Sequence, residues 1–79
     1  MGEHAVYNWR DLEKTIEEVI STKFHPKKFS GVPYYLTTYY LGESRANAVA
    51  QFIRDRGYLA RVDHPVERSG NYYIYVRRK

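Results

Sequence analysis

Tyr35 and Tyr39, and then Tyr73 and Tyr75, are spaced by even numbers of residues, and Arg61 and Arg77 fall in step with them on neighbouring extended segments. In a strand such spacing puts side chains on one face. A phenol ring offers a flat π surface on which an unstacked base can lie, and a guanidinium offers a fork of N–H donors that fits a phosphate. Lys27 and Lys28, with Arg77-Arg78-Lys79, add cations suited to phosphate contact without sequence preference. The chemistry expected from Tyr35, Tyr39, Arg61, Tyr73, Tyr75, Arg77, Lys27 and Lys28 is non-covalent recognition of single-stranded nucleic acid. The same tyrosines read equally well as buried, covered by a helix or forming the interface of a homodimer or of another protein contact. A chain this short buries only about 60% of its unfolded surface, so it needs apolar partners.

No residue set promises catalysis. His4, His25 and His64 lack any ligand spacing, and His25 and His64 each precede a proline. Asp63, His64 and Glu67 invite a proton-transfer reading, but adjacent residues at a strand end point to opposite faces. Ser21, Ser30, Ser44 and Ser69 have the settings of caps and turns, and Gly42, Gly57 and Gly70 stand too far apart to cradle a phosphate. There is no cysteine, which removes thiol chemistry, cysteine zinc sites and disulfides together. No catalytic residue, metal or cofactor is expected, and the chain reads as a non-enzymatic binding module.

The 79 residues are 43% hydrophobic and 28% charged, a balance that folds as one small globular domain over 1–79. The net charge of +4 is unevenly spread: residues 1–22 hold five acids against two bases, and 23–79 hold eleven bases against four acids. Such asymmetry suits one surface that meets polyanions and another that does not. Neither a basic-then-apolar leader nor a membrane-length apolar run is found, and the expectation is a cytoplasmic protein without membrane contact.

The elements that must position these residues follow from periodicity. Asn8 with Asp11 marks a helix start, and Trp9, Leu12, Ile16, Val19 and Ile20 recur at helical spacing, predicting a helix over 9–22. Two prolines and a glycine in 23–33 predict a basic loop. Residues 34–41 are tyrosine, threonine and leucine throughout, which predicts a strand. Ser44 as cap, the stripe Ala46, Val49, Ala50 and Ile53, and Gly57 as terminator predict a helix over 44–56. Residues 58–63 and 72–78 predict a hairpin with a charged loop between.

The order helix-strand-helix-strand-strand implies a two-layer α+β domain with a three-stranded antiparallel or mixed sheet, a split βαβ unit like half of a ferredoxin-like fold. The last strand lies in the middle. Leu36, Val62, Ile74 and Val76 are then expected against the helices, and Tyr35, Thr37, Tyr39, Arg61, Tyr73, Tyr75 and Arg77 on the opposite face. The segment from Leu41-Gly42-Glu43-Ser44-Arg45-Ala46-Asn47-Ala48 through Arg56-Gly57-Tyr58-Leu59-Ala60-Arg61-Val62, with Tyr73-Ile74-Tyr75-Val76, resembles half of a SPOR domain. That resemblance implies an RNP-like sheet and binding to peptidoglycan glycan strands, with an N-terminal helix in place of the family's second half. A competing arrangement is a winged helix, with 34–41 helical, 45–56 as recognition helix presenting Arg45 and Asn47, and the final hairpin as wing. Tyr34-Tyr35-Leu36-Thr37-Thr38-Tyr39-Tyr40 is a poor helix, which favours the sheet.

Overall fold

The computed structural model describes residues 8–65 and 70–79; His4, Glu67 and Ser69, weighed above, lie outside them. Among the described residues the elements are α1 (Trp9–Thr22), β1 (Lys27–Phe29), β2 (Val32–Tyr40), α2 (Glu43–Asp55), β3 (Tyr58–Asp63) and β4 (Tyr72–Arg78). The class is α+β, with the strands in one open antiparallel sheet of order β1-β2-β4-β3. Because β4 runs antiparallel to both β2 and β3, those two are parallel with β4 between them and α2 as their connection. The strand at 32–40 removes the helical segment that a winged helix would need.

The expected three-stranded, half-ferredoxin sheet is corrected to four strands, and the expected loop over 23–33 is corrected to a tight hairpin. Ser30 and Gly31 both have positive φ (54° and 80°) between the paired residues Phe29 and Val32, the signature of a type I′ two-residue turn. The prolines do not break this hairpin. Pro26 precedes β1, and Pro33 lies in β2 before pairing with β4 begins at Tyr35, where a missing N–H breaks no ladder bond.

Both helices pack on one side of the sheet. Ile16 and Val19 of α1 and Ala46, Val49, Ala50 and Ile53 of α2 meet Tyr58 and Ala60 of β3 and Ile74 and Val76 of β4. Trp9 closes the helix–helix contact, edge-on to Phe52 at 5.8 Å, with the Arg56 guanidinium over both rings. Asn8 caps α1 through its carbonyl, which accepts from Leu12 N–H, while its side chain makes no capping bond. The start of α2 is Gly42, not Ser44 as expected. Gly57, at φ +100°, supplies the left-handed turn that leads into β3.

Two side-chain locks join the layers at β3 and β4. Arg54 of α2 donates from Nε and Nη2 to the Ala60 carbonyl (3.1 and 2.9 Å), occupying an acceptor on the edge strand. The Glu17 carboxylate of α1 accepts hydrogen bonds from the Tyr58 hydroxyl and the Arg78 guanidinium. Those bonds, first Tyr58 and then Arg78, hold Glu17 below the ordinary carboxylate range. Burial, then the Glu17 bond, pushes the Tyr58 phenol up to about 12.

A bulge sets which side chains face away from the helices. The β2–β4 register slips between Leu36 and Thr38, so Tyr35 pairs with Val76 and Thr38 with Ile74, all on the helix side, while Leu36 pairs with Tyr75 and Tyr39 with Tyr73 on the other. Simple alternation fails across that point. Tyr35 is therefore corrected to the helix side, packed against the core, and Leu36 to the open side. Thr37 occupies the bulge, donates to the Ile74 carbonyl at 2.8 Å, and lines a shallow cleft with Asp11 and Thr15 of α1.

Candidate nucleic-acid interface

The sheet face away from the helices is strongly curled. A flat four-stranded sheet would hold its edge strands roughly 14 Å apart at the usual strand spacing. Here Lys27 of β1 and Asp63 of β3, on opposite edges, form an ion pair at 2.6 Å. The β1–β2 hairpin thus reaches back over one end of the face and leaves the other end uncovered.

At the covered end Phe29 is the centre. Its ring lies edge-on to Tyr34 (5.3 Å) and Tyr75 (5.6 Å), and the Arg61 guanidinium sits over both Phe29 and Tyr34, at 5.5 and 5.8 Å. Arg77 covers the Tyr34 ring at 5.9 Å and donates from Nη1 to the Pro33 carbonyl at 3.0 Å. Tyr34 is only 7% exposed as a result. Tyr75 is half-buried, and burial raises its phenol above the ordinary value. A guanidinium lying over a ring gains cation–π attraction and still keeps N–H groups at its edge, and Arg61 remains exposed here.

At the uncovered end Tyr39 and Tyr73, register partners on β2 and β4, hold their rings 5.7 Å apart at 47°. Tyr39 is 54% exposed and Leu41, just beyond the strand, 75%. Tyr39, Leu41, Gly42 and Arg45 line a shallow cleft beside the pair. Asn71 donates to the Tyr73 hydroxyl at 3.4 Å, a long bond. His64 stacks at 4.0 Å on Tyr72, the register partner of Tyr40, on the helix side of the sheet.

Of the residues expected to form this face, Tyr39, Tyr73, Tyr75, Arg61 and Arg77 share it, Tyr35 does not, and Lys27 joins it as the register partner of Tyr34 and reaches Asp63 by the curl of the hairpin. Lys28, opposite Pro33, points the other way from Lys27 along β1 and is exposed. Phe29, Tyr34 and Asp63 belong to the face although the sequence did not single them out for it. Alternation from Arg61 along β3 would have placed Asp63; Phe29 needed the hairpin and Tyr34 the bulge. The charges are layered: among the described residues the face carries Lys27, Arg61 and Arg77 with Asp63 as its acid, whereas α1 carries Asp11, Glu13, Glu17 and Glu18 against Arg10 and Lys14. Among the described residues no group of three His, Cys, Asp or Glu side chains gathers, and no helix is long and apolar enough to cross a membrane.

No protein-family model, curated protein or solved structure matches this chain.

Proposed function

We propose that this chain is a non-enzymatic module that binds single-stranded nucleic acid on the concave face of its sheet, stacking bases on the Tyr39–Tyr73 pair. The observation that carries the reading is that pair: two rings on adjacent strands, one of them more than half exposed, on the face where Arg61 and Arg77 gather and away from the acidic helix α1. A base stacked on a tyrosine gains about 1–3 kcal/mol whatever its identity, and an arginine edge beside it meets the phosphate. Arg45, at the lip of the adjoining cleft, extends the cationic track past the rings.

The test is anisotropy of a labelled single-stranded oligonucleotide titrated with the protein at two salt concentrations, beside the same sequence as duplex. Tight binding of the single strand that weakens steeply with salt is expected, with little affinity for duplex. No change in anisotropy at low salt overturns the reading. A second reading draws on Tyr39 and Leu41, whose exposure makes an apolar patch: a homodimer or protein contact through the same end. In that case light scattering gives a mass that rises with concentration and the oligonucleotide is ignored. The SPOR resemblance suggests sugar rings on the same tyrosines, and a response to glycan strands that salt does not weaken marks that case.

A further inference from the structure

We infer that the cleft between Tyr39 and Arg45 takes a thymine, with Leu41 against its C5 methyl group, so that the strand bound is single-stranded DNA in preference to RNA. The inference rests on the single-strand reading above and names the base held at its uncovered end. Tyr39, Leu41, Gly42 and Arg45 line one cleft. Leu41 is the most exposed large hydrophobic side chain among the described residues, at 75%, and Tyr39 follows at 54%. Tyr40 borders the same cleft but packs against the core, and Gly42 adds no side chain to obstruct it. Two residues of extended chain span at most about 7 Å. A base lying on the Tyr39 ring therefore sets one edge against Leu41.

Which edge that is follows from what the lining can satisfy. Leucine neither donates nor accepts a hydrogen bond, and a base nitrogen or carbonyl oxygen pressed against it loses a water partner without replacement. The C5–C6 edge of a pyrimidine carries no hydrogen-bonding atom, whereas a purine presents N7 on the corresponding edge. Thymine adds to that edge a methyl group that uracil and cytosine lack, and apolar side chains are its usual contacts.

Charge and area decide between a base and a second copy of this chain. The charged member of the lining is Arg45, exposed in the first turn of α2. A two-fold dimer sets the same patch against itself and would bring two Arg45 guanidinium groups into one apolar contact. Two exposed side chains also fall far short of the roughly 800 Å² per partner that a stable interface buries. A nucleotide instead supplies an apolar edge for Leu41 and a phosphate for Arg45.

The experiment measures the anisotropy of labelled oligodeoxythymidine and oligodeoxyuridine of equal length, strands that differ only in the C5 methyl group. The thymidine strand is expected to bind about threefold tighter, the effect of burying one group of methyl size. A 5-methylcytosine strand should gain as much over its cytosine counterpart, because the methyl group and not the hydrogen-bonding edge is read. Both comparisons use the unaltered protein, so neither depends on a variant folding. A methyl group also stacks on a tyrosine ring, and Leu41→Ala separates the two contacts: the difference between thymidine and uridine strands should vanish, whatever the variant's absolute affinity. Equal affinities within either pair overturn the inference and leave the single-strand reading standing. So does a thymidine preference that persists in Leu41→Ala, since the methyl group is then read by a ring. If none of the strands binds, the single-strand reading itself fails.

Discussion

Tyr34 and Tyr39 lie on the same strand and the same face, yet Tyr34 is 7% exposed and Tyr39 54%. They share the face only because the bulge at 36–38 adds a residue between them. What separates their fates is the β1–β2 hairpin, which sets the Phe29 ring against Tyr34 and stops short of Tyr39. Both ends carry aromatic rings and arginine. Coverage differs, and coverage is decided by where a short strand folds back. The covered end contributes to stability and the uncovered end is left for a ligand.

The largest effects should come from substitutions that separate these roles. Tyr34→Ala removes a ring enclosed by Phe29, Arg61 and Arg77, and should cost about 3 kcal/mol in denaturant unfolding, the range for a large buried aromatic. Tyr39→Ala removes a ring with one covered side and should change stability by less than about 1 kcal/mol. It should weaken single-strand binding by about tenfold, the loss of one stacked base. If Tyr39→Ala unfolds the protein as readily as Tyr34→Ala does, the two ends are not distinct and the comparison fails.

How much of this was legible in the sequence depends on which physical signal each element leaves. Helix α1 and strands β3 and β4 carry strong periodicity, and their bounds match those read from the chain. The central place of β4 follows from the element order, because a third strand can return through the gap of a split βαβ unit. The hairpin was hidden by Pro26, Pro33 and Gly31, which read as breakers although each sits where the ladder does not need it. Ser30-Gly31 is a weaker turn signal than Asn-Gly, and β1 is three residues long. The bulge leaves no mark at all: Leu36, Thr37 and Thr38 are ordinary strand residues, and the hydroxyl bond from Thr37 to Ile74 exists only once β4 is paired. That single residue is what turns Tyr35 to the helix side, against simple alternation.

A smaller effect at neutral pH separates the face from the layer behind it. The Glu17 bonds to Tyr58 and Arg78 lie on the helix side, where they tie α1 to β3 and β4. Glu17 is held below its ordinary value of 4.5, so the stability it contributes is present above that value and is lost as pH falls through the lowered one. Tyr58 is shifted the other way. Its contribution is complete below 10.0, the ordinary value, and disappears as pH rises toward about 12. Urea unfolding across pH should therefore show a plateau with an acid and an alkaline shoulder. Glu17→Gln should flatten the acid shoulder and shrink the alkaline one without removing it, because burial is the larger cause of the Tyr58 shift. Single-strand affinity of this variant at neutral pH should match the native protein. An altered affinity would mean that the lock behind the sheet shapes the face in front.

The smallest change expected acts on the hairpin itself. Ser30 holds φ at 54°, a left-handed conformation that an L-residue with a short polar side chain adopts at some cost, and that asparagine adopts more readily than serine. Ser30→Asn creates the Asn-Gly pair favoured in type I′ turns, and should raise stability by about 0.5 kcal/mol, since the turn is exposed and nothing else changes. The sharper readout is binding. If the uncovered end works alone, firmer closure of the covered end leaves single-strand affinity where it was. If affinity falls as the hairpin is stabilised, the strand of nucleic acid must lift Phe29 to reach Tyr34 and Tyr75. The two ends would then be one site that is half shut in the absence of ligand.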